Sequence, residues 1–73
     1  MQKTIFRIAK MDCPSEEQMI RMKLAHLPEI ESLDFDIPNR KLTVYHTGSN
    51  QEIFQQLDLL KFDTSVIESV QAE

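Results

Sequence analysis

The densest run of chemically capable side chains is Met11-Asp12-Cys13-Pro14-Ser15-Glu16-Glu17, where one thiol sits among three carboxylates. Cys13 and Glu16 are three residues apart, about one turn of a helix that begins early, so their side chains can meet. Asp12 and Glu17 flank them. One sulfur with one or two carboxylate oxygens is a donor set for a divalent transition-metal ion, and Cys13, Asp12, Glu16 and Glu17 are the candidate ligands. Each also has a plainer role. Acids in a first helical turn suit the positive end of the helix dipole without a metal, and Asp12 can cap the backbone that follows it. Cys13 is the chain's one cysteine, so it makes no internal disulfide, and a lone thiol is more at home in a reducing compartment.

The elements that must hold this stretch follow from periodicity. From Thr4 to Lys10, Phe6 and Ile8 fall on one side and Arg7 on the other, the period-two pattern of a half-buried strand. A helix opens at Pro14 or Ser15, with Met19, Ile20, Leu24 and Leu27 at helical spacing, Glu16 and Glu17 at its positive end, and Pro28 as its stop. Leu33, Phe35 and Ile37 alternate with Asp34 and Asp36, and beyond a tight Pro38-Asn39 turn Leu42 and Val44 form another alternating run. After Gly48, the spacing of Ile53, Phe54, Leu57 and Leu60 predicts a second amphipathic helix. Thr64 to Val70 is β-branched without clean alternation and is assigned as a last strand.

Strand, helix, strand, strand, helix, strand is the order of an α+β, ferredoxin-like βαββαβ sandwich, a four-stranded antiparallel sheet with two helices on one face. The open face should carry Arg7, Asp34, Asp36, Thr43 and Tyr45. It lacks the stacked aromatics and basic groups of an RNA-reading sheet of this topology. His26 and His46 should lie at the pole opposite Cys13, as solvated surface groups that cannot complete its site. Met19 and Met22 are expected as core filler.

A chain of 73 residues is read as one domain spanning 1–73, with 41% hydrophobic residues for a core and little room for an enclosed catalytic cleft. Eight Lys and Arg against twelve Asp and Glu give a net charge of −4, which opposes the phosphate attraction that nucleic-acid binding rests on. The longest apolar runs are two or three residues, so no membrane insertion is expected and the chain reads as soluble and cytoplasmic. An enzyme is also disfavoured. By the topology Cys13 has no histidine beside it to act as base, and a single glycine argues against a phosphate-cradling loop.

The same stretch resembles the heavy-metal-associated domain family of soluble copper chaperones, mercury-binding proteins and the N-terminal arms of metal-exporting ATPases. That family carries Gly-Met-x-Cys-x-x-Cys between its first strand and first helix, and Lys10 to Glu16 lies on it without a gap, Met11 and Cys13 matching outright. Ile20, Leu24, Leu27, Pro28 and Ile30 fall on the family's helix face and its Pro-Gly-Val, and Leu60-Lys61-Phe62 on its Ala-Gly-Tyr, so the resemblance covers nearly the whole chain. Glu16 replaces the second ligand cysteine, and Lys10, Glu29 and Lys61 replace three family glycines. The resemblance implies that Met11 packs beneath the loop and that the end of the second helix returns Lys61 and Phe62 to the neighbourhood of Cys13 and Lys10. Loss of one sulfur moves the expected cargo from Cu(I), which suits two thiolates, toward zinc, with cadmium, cobalt or nickel as alternatives. Asp12 beside Cys13 adds to this, because Met-Asp-Cys resembles family members serving zinc, cadmium or lead. The implied function is a metallochaperone or sensor that passes a divalent ion to a metal-exporting membrane transporter, as a monomer or a metal-linked dimer. The alternative is an interaction or regulatory module on the same scaffold that binds no metal.

Overall fold

The structure is a computed structural model describing residues 1–72. Its elements are β1 (Gln2–Ile8), α1 (Pro14–Leu24), β2 (Ile30–Asp36), β3 (Lys41–His46), α2 (Gln51–Leu59) and β4 (Thr64–Gln71). The strands form one sheet in the order β2-β3-β1-β4, every neighbouring pair antiparallel. This is the ferredoxin-like arrangement that the periodicity requires.

Alternation decides which face is buried. Phe6 and Ile8 of β1 and Leu42 and Val44 of β3 point to one side and are fully buried, against Ile20 and Leu24 of α1 and Ile53 and Leu57 of α2. Both helices therefore cover the same face. Burying such side chains stabilises the fold by about 1.5 to 3 kcal/mol each, before the entropy of ordering them is subtracted. On the other face Arg7, Asp34 and Asp36 are exposed and Thr43 and Tyr45 partly so, as the alternation requires.

Several boundaries differ from the periodicity, each for a local reason. β1 ends at Ile8 rather than Lys10 because the chain turns there, Met11 N–H bonding back to the Ile8 carbonyl at 3.0 Å. Ile37 belongs to the turn after β2, which Arg40 closes by donating its N–H to the Ile37 carbonyl at 3.0 Å, and Asn39 Nδ2 donates to Asp36 at 2.9 Å. β4 shows no clean alternation because its pairing slips: Ile5 faces Glu68 while Phe6 faces Val66, so Ile67 is an extra, bulged residue on an edge strand.

Two expectations are overturned. Met19 and Met22 are not core filler but are 47% and 69% exposed. Ile20, Leu24 and Leu27 already occupy the inward arc of a helix with 3.6 residues per turn, which leaves positions 19 and 22 on the outside. His46 is not a solvated surface group but 1% exposed. It continues the inward alternation of Leu42 and Val44, and its Nε2 shares a hydrogen bond with Thr4 Oγ1 at 2.8 Å. Thr4 Oγ1 also lies 3.1 Å from Ser69 Oγ and accepts from Asn50 Nδ2 at 3.4 Å. This polar group ties β1, β3 and β4 to the residue that precedes α2. His26 is exposed, as expected.

Candidate metal centre

The loop between β1 and α1 is fixed from both sides. Lys10 N–H donates to the Phe62 carbonyl at 3.0 Å and Ala9 N–H to the Asp63 carbonyl at 3.2 Å, so the segment after α2 does return to the loop. Met11 is fully buried beneath it. With its hydrophobic foot inserted and its backbone anchored, the loop presents Asp12 and Cys13 outward.

Lys61, on one of the replaced glycine positions, has φ of 61°, in the left-handed region that glycine enters most easily. It directly follows Leu60, the C-cap of α2. The conformation of the glycine is kept although the glycine is not. Lys10 and Glu29 are not among the positive-φ residues, so the other two replacements carry no such strain.

Cys13 is the N-cap of α1, with extended φ of −151° and ψ of 164°, and Pro14 follows at the position where a helix tolerates proline best. The cap position thus belongs to Cys13, not Asp12, and Cys13 makes no side-chain cap bond. Its thiol instead donates to Glu16 Oε1 at 2.9 Å, across the first turn of the helix. Ser15 Oγ donates to Glu16 Oε2 at 2.9 Å and lies 2.8 Å from Cys13 Sγ. The result is a closed ring of thiol, hydroxyl and carboxylate. These bonds hold the Glu16 carboxyl below its ordinary range, the Cys13 thiol contributing most, then Ser15, then Asp12. Glu16 is an anion poised beside the sulfur.

Asp12, Cys13 and Glu16 each bring one donor atom within 4.8 Å of the others. Zinc takes sulfur at about 2.3 Å and carboxylate oxygen at about 2.0 to 2.2 Å, so an ion would draw the donors together by on the order of an ångström. Asp12 is exposed, Cys13 and Glu16 partly so, and an incoming ion or partner ligand has access. Glu17 does not join them. Its Oε2 accepts from Arg21 Nε and lies 2.9 Å from Arg21 NH2, an i,i+4 pair on the flank of α1. Arg21 in turn stacks over Phe35, its guanidinium carbon 4.6 Å from the ring centre.

Three of the four candidate ligands are therefore gathered and one is engaged elsewhere. Ser15, considered from sequence only as a helix opener, is the residue that the periodicity missed. Its signal was position alone, in the first turn between Cys13 and Glu16. The donor set, one thiolate and two carboxylates, suits a borderline divalent ion and lacks the second sulfur of a linear Cu(I) site.

The family model for the heavy-metal-associated domain matches residues 5–63. Among solved structures, the chain superposes on the yeast copper transporter domain CCC2A, in its apo and Cu(I)-loaded states, with a TM-score of 0.83 at 16% identity, covering 93% of this chain and 97% of that one. It superposes on a chain of the Atx1-Cu(I)-Ccc2a complex with a TM-score of 0.82 at 16% identity, over 93% and 97% of the two chains. It also superposes on oxidized MerP from Ralstonia metallidurans CH34 with a TM-score of 0.79 at 12% identity, over 93% and 100%. No curated protein sequence matches it. With its loop, its buried Met11 and its cap cysteine in place and the family model spanning most of its length, the chain belongs to the heavy-metal-associated domain family.

Proposed function

We propose that this protein carries a divalent transition-metal ion, zinc foremost, on Cys13 Sγ with Asp12 and Glu16 oxygens, and passes it to a metal transporter. The single observation that carries the reading is the convergence of those three donors within 4.8 Å on an accessible loop. Glu17 would join only by leaving Arg21. The neighbours named for copper transport, including one solved as a complex named for Cu(I), support a cargo role on this scaffold and a transporter domain as partner. The loss of the second sulfur is what turns the preference toward a divalent ion.

Transfer would run by ligand exchange. Three protein donors leave a fourth position for water, a small thiol or a partner's ligand, and the partner's donors enter before this protein's leave. Among the described residues no helix is long and apolar enough to cross a membrane.

The test is titration of the reduced protein with Zn(II) and Co(II), following the amide resonances from Met11 to Glu17, with Cys13→Ser as control. Saturable shifts confined to this loop, and a thiolate-to-cobalt absorption band absent from Cys13→Ser, are the expected outcome. A second reading, an interaction module that binds no metal, is favoured by one observation: thiol and carboxylate satisfy one another without an ion. Unchanged spectra at millimolar metal would select it.

A further inference from the structure

The exposed thioethers of α1 form a pattern that the packing of the core does not require. Met19 is 47% and Met22 69% exposed, and exposed His26 follows in the turn after the helix. α1 ends at Leu24 and the chain tightens beyond it: Ala25 has φ of −61° and ψ of −24°, and the Ala25 and Leu27 N–H groups bond three residues back, to the Met22 carbonyl at 3.4 Å and the Leu24 carbonyl at 3.1 Å. At 3.6 residues per turn up to Leu24 and about three beyond it, positions 19, 22 and 26 fall within about 80° of arc, outside the stripe of Ile20, Leu24 and Leu27. Arg21, whose guanidinium is committed to Glu17 and Phe35, is not in this stripe.

Met19 and Met22 are related as i,i+3 in α1, a spacing at which Cβ atoms lie about 5 to 6 Å apart, and His26 follows on the same outer side one tightened turn beyond. Helical side chains lean toward the N-terminus, which brings the His26 ring toward Met22. A methionine has three rotatable bonds and can reach in from either side. The donors that this face offers are two thioether sulfurs and an imidazole nitrogen. Thioethers select soft ions, and without a carboxylate or thiolate the set has little hold on a divalent one.

We propose that this outer face of α1 is a second metal site, for a soft monovalent ion of the Cu(I) class, held by the Met19 and Met22 sulfurs and a ring nitrogen of His26. It is distinct from the loop of Asp12, Cys13 and Glu16 in donors and in cargo. Neutral ligands leave the bound ion its full positive charge, and Lys23 at the edge of the stripe opposes it. The site is therefore weak and quick to exchange, a holding point at the far end of α1 from the thiol rather than a rival to it.

Ag(I), which has the charge and softness of Cu(I) without its redox chemistry, is the probe, and full-length Cys13→Ser protein removes the competing thiol. The methyl resonances of Met19 and Met22 and the ring resonances of His26 should move together and saturate at one equivalent, while buried Met11 and exposed Met1 stay in place. Met22→Leu and His26→Gln should each weaken Ag(I) by at least about tenfold with amide dispersion unchanged. No movement at millimolar Ag(I), movement of Met1 in step with Met19 and Met22, or unaltered affinity in Met22→Leu would each overturn the proposal. Zn(II) titration of Met19→Leu/Met22→Leu protein with Cys13 intact should match the original chain, which keeps this outcome separate from the fate of the loop site.

Discussion

The thiol of Cys13 donates to Glu16 Oε1 at 2.9 Å, so the residue standing in the second cysteine's place still closes on the first. The geometry that would set two sulfurs side by side, an extended cap residue and its i+3 neighbour across the first helical turn, is retained with a carboxylate in one corner. Exchange of sulfur for oxygen puts a hard donor where a soft one would stand, at a position that the helix start still brings beside Cys13.

That contact gives stability a pH dependence of known sign. Because Glu16 is held below its ordinary value of 4.5 in the folded chain, by the Cys13 thiol first, its contribution is fully present above that value. It is lost as pH falls through the lower, folded value. The difference in urea midpoint between the original chain and Glu16→Gln should be constant near neutrality and shrink as pH drops below the ordinary carboxylate range. A difference that grows on acidification would contradict the hydrogen-bond geometry.

Metal affinity should separate the four acidic and thiol candidates cleanly. Cys13→Ser should abolish saturable Zn(II) binding, and Asp12→Asn and Glu16→Gln should each weaken it by about 10- to 100-fold, the scale on which metal sites respond to loss of supporting groups. Glu17→Gln, which disturbs only an exposed pair with Arg21, should stay within about twofold. Isothermal titration on the reduced protein measures all four.

The fold was legible because each core strand and helix repeats its apolar residues at its own period, and Phe6, Ile8, Leu42, Val44, Ile53 and Leu57 are buried as that period requires. The site was legible in part. Asp12, Cys13 and Glu16 are neighbours in sequence and a helix start brings them together, whereas the engagement of Glu17 depends on where Arg21 lies along α1. His46 was misassigned as a solvated surface group for a different reason. Its place in the alternation of β3 marks it as inward, but a histidine is buried only when partners exist, and these come from Thr4, 42 residues away, which no local pattern reveals.

Those partners make Thr4 a test of the buried polar group. Thr4→Val keeps the shape and removes the hydroxyl that His46, Ser69 and Asn50 share, leaving a buried imidazole nitrogen unpaired. The loss should be about 1 to 3 kcal/mol in chemical denaturation, the cost of an unsatisfied buried polar group. A neutral result would mean that water replaces the hydroxyl.

Lys61 offers a stabilising change. At φ of 61° a residue with a Cβ is strained relative to glycine, and Lys61 makes no ion pair among the described residues. Lys61→Gly should raise stability by about 0.5 to 1 kcal/mol, the gain from relieved strain exceeding the extra entropy of the unfolded chain. The same change at Lys10 should destabilise, because that position is outside the left-handed region and glycine would bring only its entropy.

The methionines divide by location, and their substitutions should divide likewise. Met11 is fully buried under the loop that displays Cys13, and Met11→Ala should cost about 2 to 5 kcal/mol, the range for emptying a core methionine site. Met19→Gln and Met22→Gln, at 47% and 69% exposure, should stay within about 0.5 kcal/mol. Beyond stability, Met11→Ala should weaken Zn(II) at a site it does not touch, because the loop loses the anchor that orients Asp12 and Cys13. Met19→Gln and Met22→Gln should leave Zn(II) binding as it was. Denaturation midpoints and Zn(II) isotherms on the three variants decide whether the buried methionine positions the loop or merely fills space beneath it.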